Sequence, residues 1–532
     1  METILGIDTG GTYTDAVLLD KKTNQVLKKA KSPTTREDLS VGINKSIDGL
    51  GIEDPKAIEK VVLSTTLATN AIVEGEGRPT GLIIIGELPR GELPENAMAQ
   101  VQGKINIKGK EVVPLDMEEV AEACAKIAPG VEAFAVSGMM SVRNAGQELA
   151  VKEFIREQYH LPVVCGHELS SQLGFHDRTV TTVLNASLIP ILKEFIEGVQ
   201  ATLKARKITA PVYMVKGDGN LASLSFILEK PIESILSGPA ASVIGALSLA
   251  GCADGIVVDM GGTTTDSGIV KDHTLTLAPI GARVGEWQTQ IDSAQINTCG
   301  LGGDTQILPE GDRPTLTGRR ILPACRGGKD GLTPTDILHY DGDFKAWDVQ
   351  LAREEVLRQG GDASEAYIEK AKEKILSIIV DEVLQQYEEP NLPVVAIGAP
   401  AKAWYEKVRE TTDYKVIVPE HHEVANAVGA AMASVEERVS ALVRPDEEND
   451  GFVAHIGGVC KAFSDKEAAV AFAEEEAGKQ SVKAAKAQGL SEASLQVFTE
   501  DIVEKIGWRE RYIETQIKAV AKATTLKLKI EK

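Results

Sequence analysis

The stretch Asp8-Thr9-Gly10-Gly11-Thr12-Tyr13-Thr14-Asp15 returns later in the chain as Asp259-Met260-Gly261-Gly262-Thr263-Thr264-Thr265-Asp266. Both copies read D-x-G-G-T-x-T-D, with six of eight positions identical. Each follows a short apolar run, Ile4–Ile7 or Ile256–Val258, and each leads into another. Apolar run, Gly/Thr turn and apolar run together predict strand–turn–strand. A repeat so widely spaced predicts duplication of a whole domain rather than a short-period array.

The residue types point to phosphate chemistry. Paired glycines allow positive φ and close backbone approach to a ligand, and successive N–H groups then form an anion nest. Threonine hydroxyls add donors. An aspartate closing each strand can hold Mg²⁺, directly or through water. The expected phosphate grip is therefore Gly10, Gly11, Thr12, Tyr13 and Thr14 from one copy, and Gly261, Gly262, Thr263, Thr264 and Thr265 from the other. Asp8 and Asp259 are the candidate metal ligands, and Asp8, Asp259 and Asp266 the candidate catalytic carboxylates. Two such turns facing one another would clamp a polyphosphate from both sides.

This pair resembles the two phosphate loops of the actin-like ATPase and sugar-kinase superfamily. The resemblance implies an α/β fold of duplicated actin-like (ribonuclease H-like) domains, with ATP and Mg²⁺ as cofactors. Val394–Ala401, a buried strand opening through Gly398 and Ala399 into a helix, is similar to the superfamily's adenosine motif. Glu423–Ala431 is similar to its late connecting helix, whose small residues allow close packing. Within the superfamily the chain resembles the hydantoinase/oxoprolinase family. Ile7–Asp15 is similar to that family's opening motif, Leu63–Ala71 to its GTT-x-ATNA motif with Ser64 for the Gly, Thr182–Ala186 to its TVLNA helix, and Leu236–Ala241 to its LSGPA motif. Lys216–Asn220 and Pro323–Gly328 depart from the family pattern, the latter with Arg326 where the family has Tyr, in regions where substrate contacts could be made.

Length and composition agree with a large folded chain. The 532 residues are 43% hydrophobic and 25% charged, which predicts several domains. The expected units are 1–75 with the first loop, 76–250 completing that half around an inserted substrate region, 251–443 with the second loop and adenosine motif, and 452–532 as a small α+β module. Arg444–Gly451, with Pro445 and a run of acids, reads as a linker. The net charge of −21 argues against a nucleic-acid partner. No apolar run approaches the roughly 20 residues that span a bilayer, and the chain opens without a signal-peptide pattern, so a cytoplasmic setting with reduced cysteines is expected.

Other signals have plainer readings. Gly217–Ala222 matches G-x-G-x-x-A once, a weak signal beside a simple turn. His422-Glu423 begins like H-E-x-x-H, but Asn426 stands where the second His belongs. His421 and His422 read as a surface turn, and His167, His176 and Asp177 as residues that could meet at a helix start. The third Gly-rich turn, Gly300–Thr305, offers Gly302 and Gly303 as nucleotide contacts or as an ordinary loop.

The family resemblance implies an ATP-dependent hydrolase. It would phosphorylate the carbonyl oxygen of a hydantoin-like or 5-oxoproline-like cyclic amide before ring opening. The alternatives are the ATP-using subunit of an acetone-carboxylase-like complex, a small-molecule kinase, or a non-catalytic nucleotide switch. A second large hydantoinase/carboxylase-type subunit is the implied partner, and a homo-oligomer is also open.

Overall fold

The computed structural model describes residues 2–35, 38–271, 274–310, 313–446, 450–456, 459–488, 490, 492–506 and 509–523. Its two main sheets repeat one plan. In the first, strands Thr3–Thr9, Tyr13–Asp20 and Val26–Pro33 form an antiparallel meander. Ile58–Thr65 then pairs parallel to the opening strand, and Val212–Val215 parallel to Ile58–Thr65. In the second, Gly255–Met260 and Thr265–Lys271 form the hairpin, and Val394–Ile397 and Val416–Ile417 add parallel strands. The opening strands are buried along nearly their whole length, as strands packed on both faces must be.

The halves meet through two small-residue helices, Ser237–Ala250 and Ala425–Met432. A Cβ on Gly245 would stand 1.9 Å from the Ala425 carbonyl oxygen, and one on Gly429 1.8 Å from that of Ala241. Backbone lies on backbone there, so only glycine fits. A Cβ on Gly6 of the first strand would stand nearly as close, 2.2 Å from the Ala427 carbonyl oxygen. The small residues Gly429–Ala431 thus do what their pattern predicts.

Two further units flank this core. Between the first-half strands lies a parallel sheet of Thr80–Ile85, Ala97–Val101, Ala133–Gly138 and Val163–Cys165, backed by helices Met117–Ile127 and Gly146–Tyr159. Helix Phe175–Ala205 follows. Against the expectation that no apolar run is long enough, its length and mean hydropathy of 1.2 would let it cross a membrane, yet 72% of its most apolar window is buried inside the protein. The hydroxyls of Thr179, Thr181 and Thr182 donate back to carbonyls four residues earlier, which keeps their polar atoms satisfied in that core.

At the C-terminus, helix Lys466–Ala487 covers a five-stranded antiparallel sheet with an alanine stripe, Ala469, Ala473 and Ala477. Its central strand is Glu436–Pro445, paired with Phe452–Ile456 and Arg509–Ala523. The stretch read from sequence as a linker therefore runs out of this strand and into the next, with residues 447–449 outside the described set. Pro445 is the last residue of that strand, and the Asp446 amide donates to Gly451 O at 2.9 Å. Residues 524–532 of the expected module also lie outside the described residues.

Candidate active site

The two hairpins carry the repeat in the same register. Asp8 stands opposite Asp15, and Asp259 opposite Asp266. Each turn closes with the same bond, Gly10 N to Tyr13 O at 3.0 Å and Gly261 N to Thr264 O at 2.9 Å. Both hairpins open into one cleft of about 290 Å³, lined by all four aspartates together with Gly10, Gly11, Thr12, Tyr13, Gly261, Gly262, Thr264, Gly303, Gly398 and Ala399.

Not every expected residue faces that space. Thr14 and Thr265 are fully buried. The Thr14 hydroxyl pairs with that of Thr34, and the Thr265 hydroxyl donates to Leu301 O at 2.6 Å. They brace the turns and do not line the cleft. Thr263 is exposed at the hairpin tip, away from the lining. Gly302 is buried against the second turn, where a Cβ would stand 2.5 Å from the Thr263 carbonyl carbon. The loop glycines also work differently from expectation. Gly10, Gly11, Gly261 and Gly262 have no positive φ; they leave the cleft floor bare, and positive φ falls instead at Gly398 (+95°), whose Cβ would meet Met260 O at 2.2 Å.

The carboxylates sit in low-dielectric surroundings. Asp8 is pushed up to about 7 by burial, then by the neighbouring Asp15. Its Oδ1 is buried without a hydrogen-bond partner. Asp15 is raised by burial, although Lys31 Nζ holds it at 2.9 Å. Asp259 is raised by burial while accepting a hydrogen bond from Ser242 at 2.8 Å. Asp266 is pushed up to about 6 by burial, with Thr298 donating to it at 2.7 Å. Buried acids with an unused oxygen are poised for a cation.

Several lining residues lay outside the sequence expectation: Lys31, Arg320, Phe344, Trp347, Glu423 and Asn426, whereas Asp304 comes from the third Gly-rich turn. Arg326 was noticed only as a departure. A second cavity of about 890 Å³ adjoins the cleft and shares Tyr13, Lys31, Phe344, Trp347, Ala399, Pro400 and His422 with it. His422 lines the cleft with Nδ1 2.9 Å from Gly398 O, so it is not a simple surface residue. His167 pairs with the buried Glu148 and His176 with Asp177, as separate contacts far from the hairpins in sequence. The Glu148 carboxylate also accepts from the Gly138 and His167 amides, which makes its grouping with Cys165 and His167 a satisfied structural knot. Lys216 and Asp218 form a buried ion pair closing a turn, not a dinucleotide loop.

The resembling motifs clamp one another beside the first hairpin. Ser237 donates to Thr65 O at 3.0 Å, and Thr69 accepts from Leu236 N at 2.9 Å. Asn185 bonds Glu229 O and Ile232 N. Residues 4–159 match the hydantoinase/oxoprolinase N-terminal region, and residues 178–439 match hydantoinase/oxoprolinase. The chain belongs to the hydantoinase/oxoprolinase family. Caprolactamase subunit alpha of Pseudomonas jessenii is 30% identical over 373 residues, 62% of this chain and 53% of that one. Acetophenone carboxylase gamma subunit of Aromatoleum aromaticum is 27% identical over 391 residues, 63% and 52%. The chain thus spans about half the length of these curated relatives. The crystal structure of ATP-dependent caprolactamase from Pseudomonas jessenii superposes with a TM-score of 0.75 at 20% identity, over 98% of this chain and 87% of that one. The shared fold therefore includes the C-terminal α+β unit. This family member has the duplicated actin-like α/β architecture that its repeat implied.

Proposed function

We propose that the chain binds ATP with Mg²⁺ in the cleft between its halves and phosphorylates the carbonyl oxygen of a cyclic amide, which is then hydrolysed. The observation that carries this reading is the convergence of two matching turns and their four aspartates, Asp8 and Asp15 buried and Asp259 and Asp266 partly so, on one cleft. The glycine turns, which put no side chain on the cleft floor, bring the backbone of Gly10, Gly11, Gly261 and Gly262 within reach of phosphate oxygens. The unpartnered Asp8 Oδ1, with Asp259 near enough to influence it, suits a hydrated dication. When bound, magnesium would neutralise charge on the transferring phosphoryl group. The neighbouring cavity, on its Ala399, Pro400 and Ala403 side, suits the adenine.

In the chemistry, the amide oxygen attacks the γ-phosphorus and the bond to the bridging oxygen breaks, releasing ADP. With its oxygen phosphorylated, the former carbonyl carbon is now a good electrophile. Water adds to it, the C–N bond breaks and the ring nitrogen leaves as an amine; a second water frees phosphate and leaves the carboxylate. Asp266, held near pH 6, is suited to accept a proton from water.

Relatives named as subunits support a second chain as partner. The likeness to a carboxylase gamma subunit supports the alternative that a ketone oxygen is phosphorylated and the enol phosphate carboxylated. Purified chain is incubated with Mg²⁺, ATP and, in separate reactions, lactams, hydantoins, 5-oxoproline, or ketone with bicarbonate; ADP and product masses are measured. Ring-opened amino acid in step with ADP is expected. Carboxylated ketone would favour the alternative, and absence of nucleotide binding by calorimetry would defeat both.

A further inference from the structure

Asp304 is an awkward residue for a phosphate site. It follows the third Gly-rich turn, and its amide donates to Gly262 O at 2.6 Å. Its carboxylate lies against the second phosphate turn, so that a Cβ on Gly262 would stand 3.1 Å from Oδ2. An anion there repels a polyphosphate unless it is neutralised. Two guanidinium groups line the cleft beside it. Arg320 Nη2 stands 3.4 Å from Asp304 Oδ2. Arg326 Cζ lies over the Trp347 ring, 5.1 Å from its centre, and no carboxylate lies within ion-pair distance of it among the described residues. Two positive charges thus face one negative charge, and the surplus is the arginine that sits on the aromatic wall shared with the adjoining cavity.

We propose that Arg320 and Arg326 read the terminal phosphate of the nucleotide, and that Asp304 holds Arg320 in place when that phosphate is absent. The assignment rests on the nucleotide reading above and deepens it by naming what distinguishes a triphosphate from a diphosphate. Guanidinium binds phosphate with paired donors, and Trp347 keeps the Arg326 plane oriented at little cost in solvation. Asp304 sets a threshold: a phosphate must outcompete one carboxylate to recruit Arg320, and a nucleotide lacking the third phosphate presents less charge to do so. Both arginines act on the phosphate, while Asp304 acts only through Arg320 and is a positioning residue.

The test is calorimetry of the full chain with MgATP and MgADP. Arg326→Gln is expected to weaken ATP on the order of 10- to 100-fold, the worth of a hydrogen bond to a charged group, while ADP changes by less than about threefold. Arg326→Lys keeps the charge but not the planar fork and should recover only part of the loss. Asp304→Asn moves the other way, tightening ATP more than ADP because Arg320 is released. Equal losses for ATP and ADP in Arg326→Gln, or weaker ATP binding in Asp304→Asn, overturns the assignment while leaving the nucleotide site standing. A parent chain that binds neither nucleotide overturns the assignment together with the reading on which it rests.

Discussion

The two hairpins share a motif and a register but not their surroundings. In the first, Asp15 is tied to Lys31, whose ammonium also lies 5.2 Å from the Tyr13 ring centre, and Asp8 keeps a buried oxygen with no partner. In the second, hydroxyls from Ser242 and Thr298 serve Asp259 and Asp266, and no lysine or arginine pairs with either among the described residues. The cationic groups there belong to Arg320 and Arg326, set beyond Asp304. Duplication supplied two equal frames, and the side chains packed around them made the frames unequal. On the reading proposed above, the first would take the cation and the second a proton.

Exchanging the acids probes that division most strongly. Asp8→Asn is expected to lower ATP turnover on the order of 10³-fold, as loss of a preorganised charge does. Asp266→Asn is expected to cost about 10²-fold and to erase the rise in rate through pH 6. Equal effects with unchanged pH profiles would break the comparison. Stability carries the same signature. Because Asp8 is raised from 3.8 to about 7, the ligand-free native chain holds a proton there that the unfolded chain has already lost, so stability falls as pH rises between those values. Asp8→Asn should remove the part of that fall above pH 6, where Asp266 no longer contributes. Mg²⁺-nucleotide affinity should run oppositely, increasing up to about pH 7 as Asp8 ionises.

A second contrast separates glycines that hold the frames together from those that leave them open. At Gly429 any side chain meets the Ala241 backbone at 1.8 Å. Gly429→Val should therefore destabilise the chain by at least the roughly 1–3 kcal/mol typical of overpacking, visible as a lower Tm. At Gly11 a Cβ has 3.7 Å to its nearest neighbour, Asn70 Nδ2. Gly11→Ala should leave Tm unchanged and weaken MgATP. A large loss of Tm in Gly11→Ala would show that the loop glycine is structural.

These contrasts also mark what could be read before the fold was known. The repeat, the strand–turn–strand frames and the helix containing Gly429 were legible because each depends on local residue types. Asp8, Asp259 and Asp266 were legible because a motif places them. Lys31, Arg320 and Trp347 were not, since each comes from a different segment and has no pattern of its own; only packing brings them to the cleft. Arg326 gave a partial signal as a misfit in a familiar run. Asp446 and its acidic neighbours misled, because a charged, proline-bearing stretch reads alike as a linker or as the exit of a strand such as Glu436–Pro445.

The smallest expected effects concern the threonines, where the sequence treated unlike residues alike. Thr264 and Tyr13 hold equivalent positions in the two hairpins and both line the cleft. Thr265 and Thr14 follow them and turn inward. Alternation along a strand sends successive side chains to opposite faces, so only one of each pair can serve a ligand. Thr265→Val removes the hydroxyl that donates to Leu301 O and leaves that buried carbonyl short of a donor. The expected cost is about 1 kcal/mol of stability, with MgATP affinity within about twofold of the parent. Thr264→Val should show the reverse, an unaltered Tm and a several-fold weaker MgATP complex, if its hydroxyl meets phosphate. Denaturant melts and calorimetry on the same two preparations read both quantities. Should Thr265→Val weaken nucleotide as much as Thr264→Val, the inward-facing bond to Leu301 would have to be shaping the cleft floor, and the line drawn between bracing and gripping threonines would be wrong.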